Sequence, residues 1–180
     1  MRVKRFSTAF GNKVKINFRH IQMKQFENTA KEIISLMNEL EQKLLSLPEG
    51  MITQPRNSQN RNIRQITGHL VDSASNNTHR VVHLQYRESP VEFPNYATSG
   101  NNDRWIAIQN YETENWENLV QHLKFSMFHF AHVIQQIDSS KMNNEWIAGE
   151  NKTVTLQKMV EDFVPHLKLH MHKINELATL

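Results

Sequence analysis

The sequence predicts an all-α protein built mainly from four long helices. In four segments the apolar residues recur three or four positions apart, which is the period of a helix with one buried face. Segments rich in proline, glycine and asparagine separate these stretches and are typical of loops. A chain of 180 residues with 38% hydrophobic and 22% charged residues has the composition of one globular domain.

Proline, glycine and capping residues set the predicted helix ends. Pro48 and Gly50 end helix one, whereas Thr113 and Thr155 can cap the N-termini of helices three and four. The predicted bounds are 24–47 for helix one, 62–87 for helix two, 113–137 for helix three and 155–177 for helix four. Residues 49–60 and 138–153 are predicted loops.

The segment from Glu88 to Glu112 is predicted to be a long loop that crosses the molecule. It contains Pro90, Pro94 and Gly100, and loops of this length in compact domains are either functional or crossovers. An extended segment of this size can cover the length of a helix. Helices two and three would then be parallel, which gives an up-down-down-up order.

The basic residues are concentrated at the N-terminus. Residues 1–22 carry six lysines and arginines and no acid, so the net charge of +3 for the whole chain leaves −3 for residues 23–180. A nucleic-acid-binding domain carries its basic patch on the fold, so nucleic acid is not an expected partner. The segment is a disordered extension, upstream sequence translated from an early start, or an organellar transit peptide; the domain proper is predicted to be 23–180.

The lack of cysteine and of a long apolar run limits the possible metal ligands and the possible location of the protein. The chain contains no cysteine, so any metal must be held by histidine or carboxylate, and any thiol must come from a cosubstrate. The sequence has no apolar run of the length that a membrane span needs. We therefore expect a cytoplasmic protein without a membrane partner.

His166 and His170 lie four positions apart within the fourth periodic segment. Residues at this spacing share one face of a helix, so the two imidazoles can point at one metal ion. Many helices carry such a pair without binding metal. A third ligand is needed to decide between these alternatives.

A third histidine belongs to a recognisable pattern near the start of helix two. The run Arg64-Gln65-Ile66, with His69-Leu70 and Asp72-Ser73 after it, is answered near the C-terminus by His166-Leu167 and His170. In this order and separation, the motifs resemble those of the DinB/YfiT-like superfamily, over roughly 24–177. The chain departs from the family pattern in having Arg61-Asn62 where a tryptophan is common and Leu169 where relatives often have histidine.

The resemblance implies a four-helix bundle of up-down-down-up topology with a three-histidine metal site. The ligands carried over are His69, His166 and His170, and the ion would be zinc, nickel or iron. Antiparallel packing of helices two and four would bring the three imidazoles together and leave the ion with open positions, as in catalytic sites.

The positions of other polar residues on the helices predict that they line the same pocket. Asp72 and Asp162 could each accept the second imidazole hydrogen of a ligand, or be plain surface carboxylates. Asn76 and Arg80 could bind an anionic substrate group together with Trp105, although Arg80 could also be a rim residue paired with a glutamate. The predicted pocket wall consists of His69, Asp72, Asn76, Arg80, Trp105, Trp116, Asp162, His166 and His170.

Three functions follow from these assignments. The first is a metalloenzyme that transfers a low-molecular-weight thiol, such as a bacillithiol-like one, to an electrophile in detoxification. This is the activity that the resemblance implies for one branch of the superfamily. The second is a metal-dependent hydrolase, and the third is a non-catalytic, stress-related bundle that binds a ligand. A homodimer is possible. The pairs His79/His83 and His129/His132 are expected to be surface or core histidines.

Overall fold

The computed structural model describes residues 19–94, 96 and 100–180, with side chains from Phe26 onward. Six helices and one hairpin are present in this part of the chain: α1 (Arg19–Ser46), α2 (Glu49–Thr53), α3 (Ile63–Tyr86), α4 (Asn101–Gln109), α5 (Trp116–Ile134), β1 (Glu145–Gly149), β2 (Lys152–Thr155) and α6 (Leu156–Leu177). The four long helices α1, α3, α5 and α6 form a bundle, which confirms the predicted fold class. Helix α1 begins five residues before the predicted start, and residues 1–18 of the predicted extension lie outside the described residues.

Helix α1 packs beside α5 in the opposite direction and beside α6 in the same direction. The indole nitrogen of Trp116, at the start of α5, donates to the carbonyl of Leu44 near the end of α1, at 3.2 Å. Glu32, in the first half of α1, pairs with Lys168 of α6 at 2.6 Å. Lys43, near the end of α1, donates to Asn175, near the end of α6, so these two helices run in the same direction. The C-terminal end of α1 and the start of α5 therefore meet at one end of the bundle.

Helix α3 runs antiparallel to α6 and parallel to α5. His69, two turns into α3, lies beside His170 in the second half of α6. Gln85, in the last turn of α3, accepts a hydrogen bond from the backbone of Asp138, just after α5, at 3.0 Å. Thus α1 and α6 point one way and α3 and α5 the other.

The helix stripes that the sequence shows are the buried faces of the bundle. Ile33, Leu70, Leu123 and Leu167, one from each long helix, are completely buried, as expected when each amphipathic helix turns its apolar stripe inward. Across the centre, the rings of Phe130 and Phe163 pack with centroids 4.2 Å apart.

Local hydrogen bonds set the helix starts. Asn62 caps α3 in a reciprocal arrangement with Gln65, and Thr155 caps α6 as predicted. The predicted cap of α5 is wrong, because Asn115 accepts the capping hydrogen bond and Thr113 lies in the preceding 3₁₀ turn. Pro165 is accommodated inside α6 without ending it.

The predicted loops contain regular structure. Helix α2 lies in the first linker, α4 lies in the long connection between α3 and α5, and the hairpin of β1 and β2 occupies most of the segment before α6. Strand β1 also receives Val91 at its edge, with hydrogen bonds of 2.8 Å from Val91 to Glu145 and 3.0 Å from Ile147 to Val91. The hairpin thereby lies against the end of α3, where Trp146 of β1 contacts Arg80.

Among the helices described here, none combines the length and the apolar character required to cross a lipid bilayer.

Candidate metal centre

The three predicted histidines meet between α3 and α6. His69 comes from α3, and His166 and His170 come from adjacent turns of α6; one nitrogen of each lies within 4.8 Å of those of the other two. The Nε2 atoms of His166 and His170 are 3.1 Å apart. His69 and His170 are buried, and His166 is half-buried at the pocket surface.

This geometry fits a transition-metal ion. Nitrogen ligands at about 2.0–2.1 Å from a metal are separated from each other by about 3.3 Å in a tetrahedron and about 2.9 Å in cis positions of an octahedron. The 3.1 Å between His166 and His170 falls between these values. One nitrogen of His69 lies within 4.8 Å of the nitrogens of both. Three imidazoles leave at least one coordination position open, which is the arrangement of catalytic sites.

Tyr96 fixes which nitrogen of His69 faces the site. Its hydroxyl lies 2.8 Å from Nδ1 of His69 and 3.2 Å from the carbonyl oxygen of the same residue. A carbonyl can only accept, so both contacts are satisfied when the hydroxyl donates to the carbonyl and accepts from Nδ1–H. That tautomer leaves the lone pair on Nε2, the form that ligates a metal.

Burial keeps the three imidazoles neutral. Desolvation, followed by the neighbouring His166, lowers the pKa of His69 to about 3. Desolvation, followed by His166 and His69, lowers the pKa of His170 to about 2. The pKa of His166 is also lowered, mainly by burial. Near neutral pH all three rings therefore offer lone pairs rather than protons. Nδ1 of His170 is enclosed and has no partner among the described residues.

Asp72 is buried and forms no hydrogen bond with an imidazole of the described residues, so it matches neither of the two alternatives given for it. One carboxylate oxygen accepts from Tyr111 Oη and from Gln109 Nε2, both at 2.7 Å, and the other is enclosed without a partner in the described part of the chain. Burial raises the pKa of this carboxyl, ahead of the opposing hydrogen bonds from Gln109 and Tyr111. Asp72 thus fastens the connection between α3 and α5 onto α3, one turn from His69.

Asp162 borders the pocket but does not orient a histidine. Its carboxylate is exposed and pairs with Lys158 at 2.7 Å, one turn earlier on α6. The structure therefore favours the surface-carboxylate alternative. The acceptor predicted for a ligand's second nitrogen is instead a tyrosine, Tyr96, from the connection between helices.

The histidines open onto a pocket of about 500 Å³ between α3, α6 and the hairpin. Along α3 its wall consists of His69, Ser73, Asn77 and Arg80. Asn77, rather than the predicted Asn76, shares this face. The far wall consists of residues from α6 and the hairpin, among them Trp146, Val154, Met159, Asp162 and Phe163.

Two other predicted wall residues border a neighbouring pocket. Asn76 and Trp105, together with Arg80, line a space of about 320 Å³. Trp105 also packs edge-on against Tyr96, with centroids 5.1 Å apart, so it supports the residue that orients His69. Trp116 lies away from both pockets and packs on the end of α1.

Arg80 lies where the two pockets adjoin, and Trp146 covers it. The guanidinium carbon is 4.1 Å from the centroid of the indole ring, within the range of a cation–π contact. Sequence reasoning did not find Trp146 or Tyr96 as site residues. Neither stands in a pattern that indicates a site. Tyr96 lies in the long connection between α3 and α5, and Trp146 lies in the segment 138–153, which was predicted to be a loop.

The second histidine pair of α3 is different from the site. Nε2 of His79 and Nε2 of His83 are 2.9 Å apart, but no third histidine or carboxylate joins them among the residues described. Tyr86 and Phe93 contact this pair near the protein surface. Of the two alternatives given for this pair, surface or core, the structure favours the surface one, since His79 is exposed and His83 is half-buried.

The comparison with known proteins gives a structural match. No protein-family model matches the sequence, and no curated protein matches it. A solved structure with a similar fold is YfiT from Bacillus subtilis, described as a probable metal-dependent hydrolase with an unusual four-helix bundle topology. The match has a TM-score of 0.68 and 13% identity and covers 96% of this chain and 92% of that one. At this identity the likeness shows the fold, a four-helix bundle of that kind.

Proposed function

We propose that the protein is a metal-dependent enzyme of the three-histidine type. The observation that carries this proposal is the convergence of three neutral imidazoles from two helices beside an open pocket of about 500 Å³. A structural site would be closed by a fourth protein ligand, and none is present among the described residues. The description of the structurally similar YfiT as a probable metal-dependent hydrolase supports the same conclusion.

In this proposal, the residues of the chain prepare a position for a divalent ion and exclude competing protons. His69, His166 and His170 supply the three nitrogens, and Tyr96 holds His69 in the tautomer that ligates. A divalent metal bound there would lower the pKa of a water or thiol that reaches it. The pocket wall along α3 then positions the second reactant beside that nucleophile.

Two nucleophiles are compatible with the site. Hydrolysis, with water as the nucleophile, is favoured by the description of YfiT. Transfer of a low-molecular-weight thiol to an electrophile is favoured by the pocket, whose size and basic lining by Arg61, Arg80, Lys152 and Lys173 suit an anionic cosubstrate beside a second molecule. The thiol must come from a cosubstrate because the chain has no cysteine.

Metal analysis tests the first part of the proposal. Protein purified without a histidine tag should contain about one equivalent of a divalent metal. His69→Ala and His166→Ala should each lose it. His172→Ala is the matched control, because this histidine is exposed on the same helix and contacts Glu176 instead of the site. Wild-type protein that takes up no zinc, nickel or iron would refute the metal site.

Turnover with and without thiol identifies the nucleophile. Metal-loaded protein is incubated with an activated ester or a chlorinated aromatic electrophile, in the presence or absence of a small thiol. Turnover that needs the thiol supports S-transfer, whereas thiol-independent turnover supports hydrolysis. If both are absent and removal of the metal unfolds the protein, the ion is structural and the enzyme proposal fails.

A further inference from the structure

Within the described part of the chain, Arg80 differs from the other buried arginines in having no acidic partner. Arg61, Arg64 and Arg80 are all at least nine-tenths buried. Arg61 pairs with Asp103 and Arg64 with Glu49, whereas no carboxylate among the described residues pairs with Arg80. Arginine is rarely buried unless it is paired, because an isolated charge is costly to remove from water. The guanidinium of Arg80 instead faces the two pockets whose walls it helps to form.

The hydrogen-bonding capacity of Arg80 is also mostly unused. A guanidinium has five N–H donors, but the described contacts include one weak bond, 3.3 Å from Nη1 to Oδ1 of Asn77. Burial lowers the pKa of Arg80, yet arginine stays protonated near neutral pH. Its charge therefore persists in the wall of the three-histidine pocket.

Trp146 presents Arg80 to the pocket as a flat, fixed fork. The indole ring lies 4.1 Å from the guanidinium carbon and comes from the hairpin, which is tied to the chain after α3 through Val91. A stacked guanidinium loses little further freedom when it binds, and its paired N–H groups match the two oxygens of a carboxylate.

We propose that Arg80, backed by Trp146, forms a carboxylate-binding subsite at the far end of the three-histidine pocket. A carboxylate matches the one positive charge of Arg80, whereas a phosphate dianion carries one more negative charge than Arg80 alone can neutralise. The substrate or cosubstrate class is thus a small molecule with a carboxylate at one end and the reacting group at the other; the second half of this statement rests on the proposed function.

The spacing along α3 sets the size of that molecule. His69 and Arg80 are eleven residues apart, or about 16 Å along a helix axis. The long side chain of Arg80 leans back toward the N-terminus of α3, which shortens the gap to on the order of 10 Å. A ligand of moderate length that spans both ends is expected to bind better than a short one.

Hydroxamic acids with different tails test the subsite on the metal-loaded protein. The hydroxamate group binds the metal, and the tail ends either in a carboxylate (suberic monohydroxamic acid) or in the matching carboxamide. In titration calorimetry, wild-type protein should bind the carboxylate form about 10- to 100-fold more tightly, the range of a charge-assisted hydrogen bond. The succinic analogue, which is too short, should show little preference.

Substitutions assign the preference to Arg80. Arg80→Gln should abolish it without weakening the carboxamide form. Arg87→Gln, at an exposed arginine just after the same helix, should retain it. Arg80→Lys should keep only part of it, because a single ammonium cannot form the paired contact. Equal binding of the two tails by the wild type overturns the proposal, and this comparison does not depend on any variant folding.

The experiment can refute the proposed subsite and the proposed metal centre separately. If neither hydroxamate binds, the metal proposal is wrong. Octanoate and octanamide then give the same comparison without a metal anchor, and octanoate should still bind more tightly in an Arg80-dependent manner. Tighter Arg80-dependent binding of octyl phosphate than of octanoate would replace the carboxylate assignment with a phosphate one. Equal binding of all three would remove the anion site.

Discussion

The hydroxyl of Tyr96 is the most direct test of how the site is organised. Tyr96→Phe removes one oxygen and keeps the ring that packs on Trp105. The change deletes the acceptor 2.8 Å from Nδ1 of His69, so the ring is free to rotate or to change tautomer. Loss of such a partner typically weakens metal binding about 10- to 100-fold, or about 1.4–2.7 kcal/mol.

The same substitution should lower the stability of the metal-free protein. The Nδ1–H group of the buried His69 would lose its partner, and an unsatisfied buried donor costs about 1–3 kcal/mol. Chelator competition gives the metal affinity, and urea unfolding of the metal-free protein gives the free energy of unfolding. We expect both quantities to decrease.

The chain contains a matched control for this experiment. Tyr86 Oη lies 2.6 Å from Nδ1 of His83, so the same chemical pair exists at an exposed position away from the three histidines. Tyr86→Phe should leave metal affinity unchanged and alter stability by no more than about 0.5 kcal/mol. The proposed role of Tyr96 is wrong if Tyr96→Phe retains wild-type metal affinity, or if Tyr86→Phe weakens it equally.

Two further predictions concern acid and packing. In the folded protein the pKa values of His69 and His170 are about 3 and about 2, below the usual 6.5. Between pH 6.5 and these lower values, the two histidines bind protons in the unfolded chain but not in the folded protein. Stability of the metal-free protein should therefore decrease as pH falls below 6.5, by up to about 1.4 kcal/mol per pH unit for each residue; a flat urea-unfolding profile would contradict this. A Cβ on Gly68 would lie 2.1 Å from the Tyr111 ring, so Gly68→Ala should cost about 1–3 kcal/mol. For Gly149→Ala, no atom of the described residues lies within 4 Å of the added Cβ, so this change should leave the Tm nearly unchanged.

The histidine triad could be predicted because its determinants are local or carried by motifs. The four-residue spacing of His166 and His170 places both on one face of α6. The motif around His69 identified the third position, and the structure brings all three nitrogens within 4.8 Å. The helix stripes likewise depend only on periodicity, and they became the buried faces.

The remaining pocket wall could not be read from helix geometry alone. At 100° per residue, Asn76 and Asn77 point about 20° to one side and 80° to the other side of His69. Which of them faces the pocket depends on where α6 and the hairpin pack, and the structure places Asn77 there. The prediction that Asn76 lies in the wall of the three-histidine pocket was wrong, because the sequence of α3 alone does not set the direction from which its neighbours pack.

By itself, the sequence determined the helical class, the apolar faces and a histidine pair, since these follow from the spacing of residues along one helix. Only the tertiary structure decided that Tyr96 orients His69, that Asp72 fastens the connecting segment and that Trp146 covers Arg80. Each of these contacts joins elements that are distant in the chain. Their partners are selected by how the helices and the hairpin pack against one another, and no local pattern records that choice.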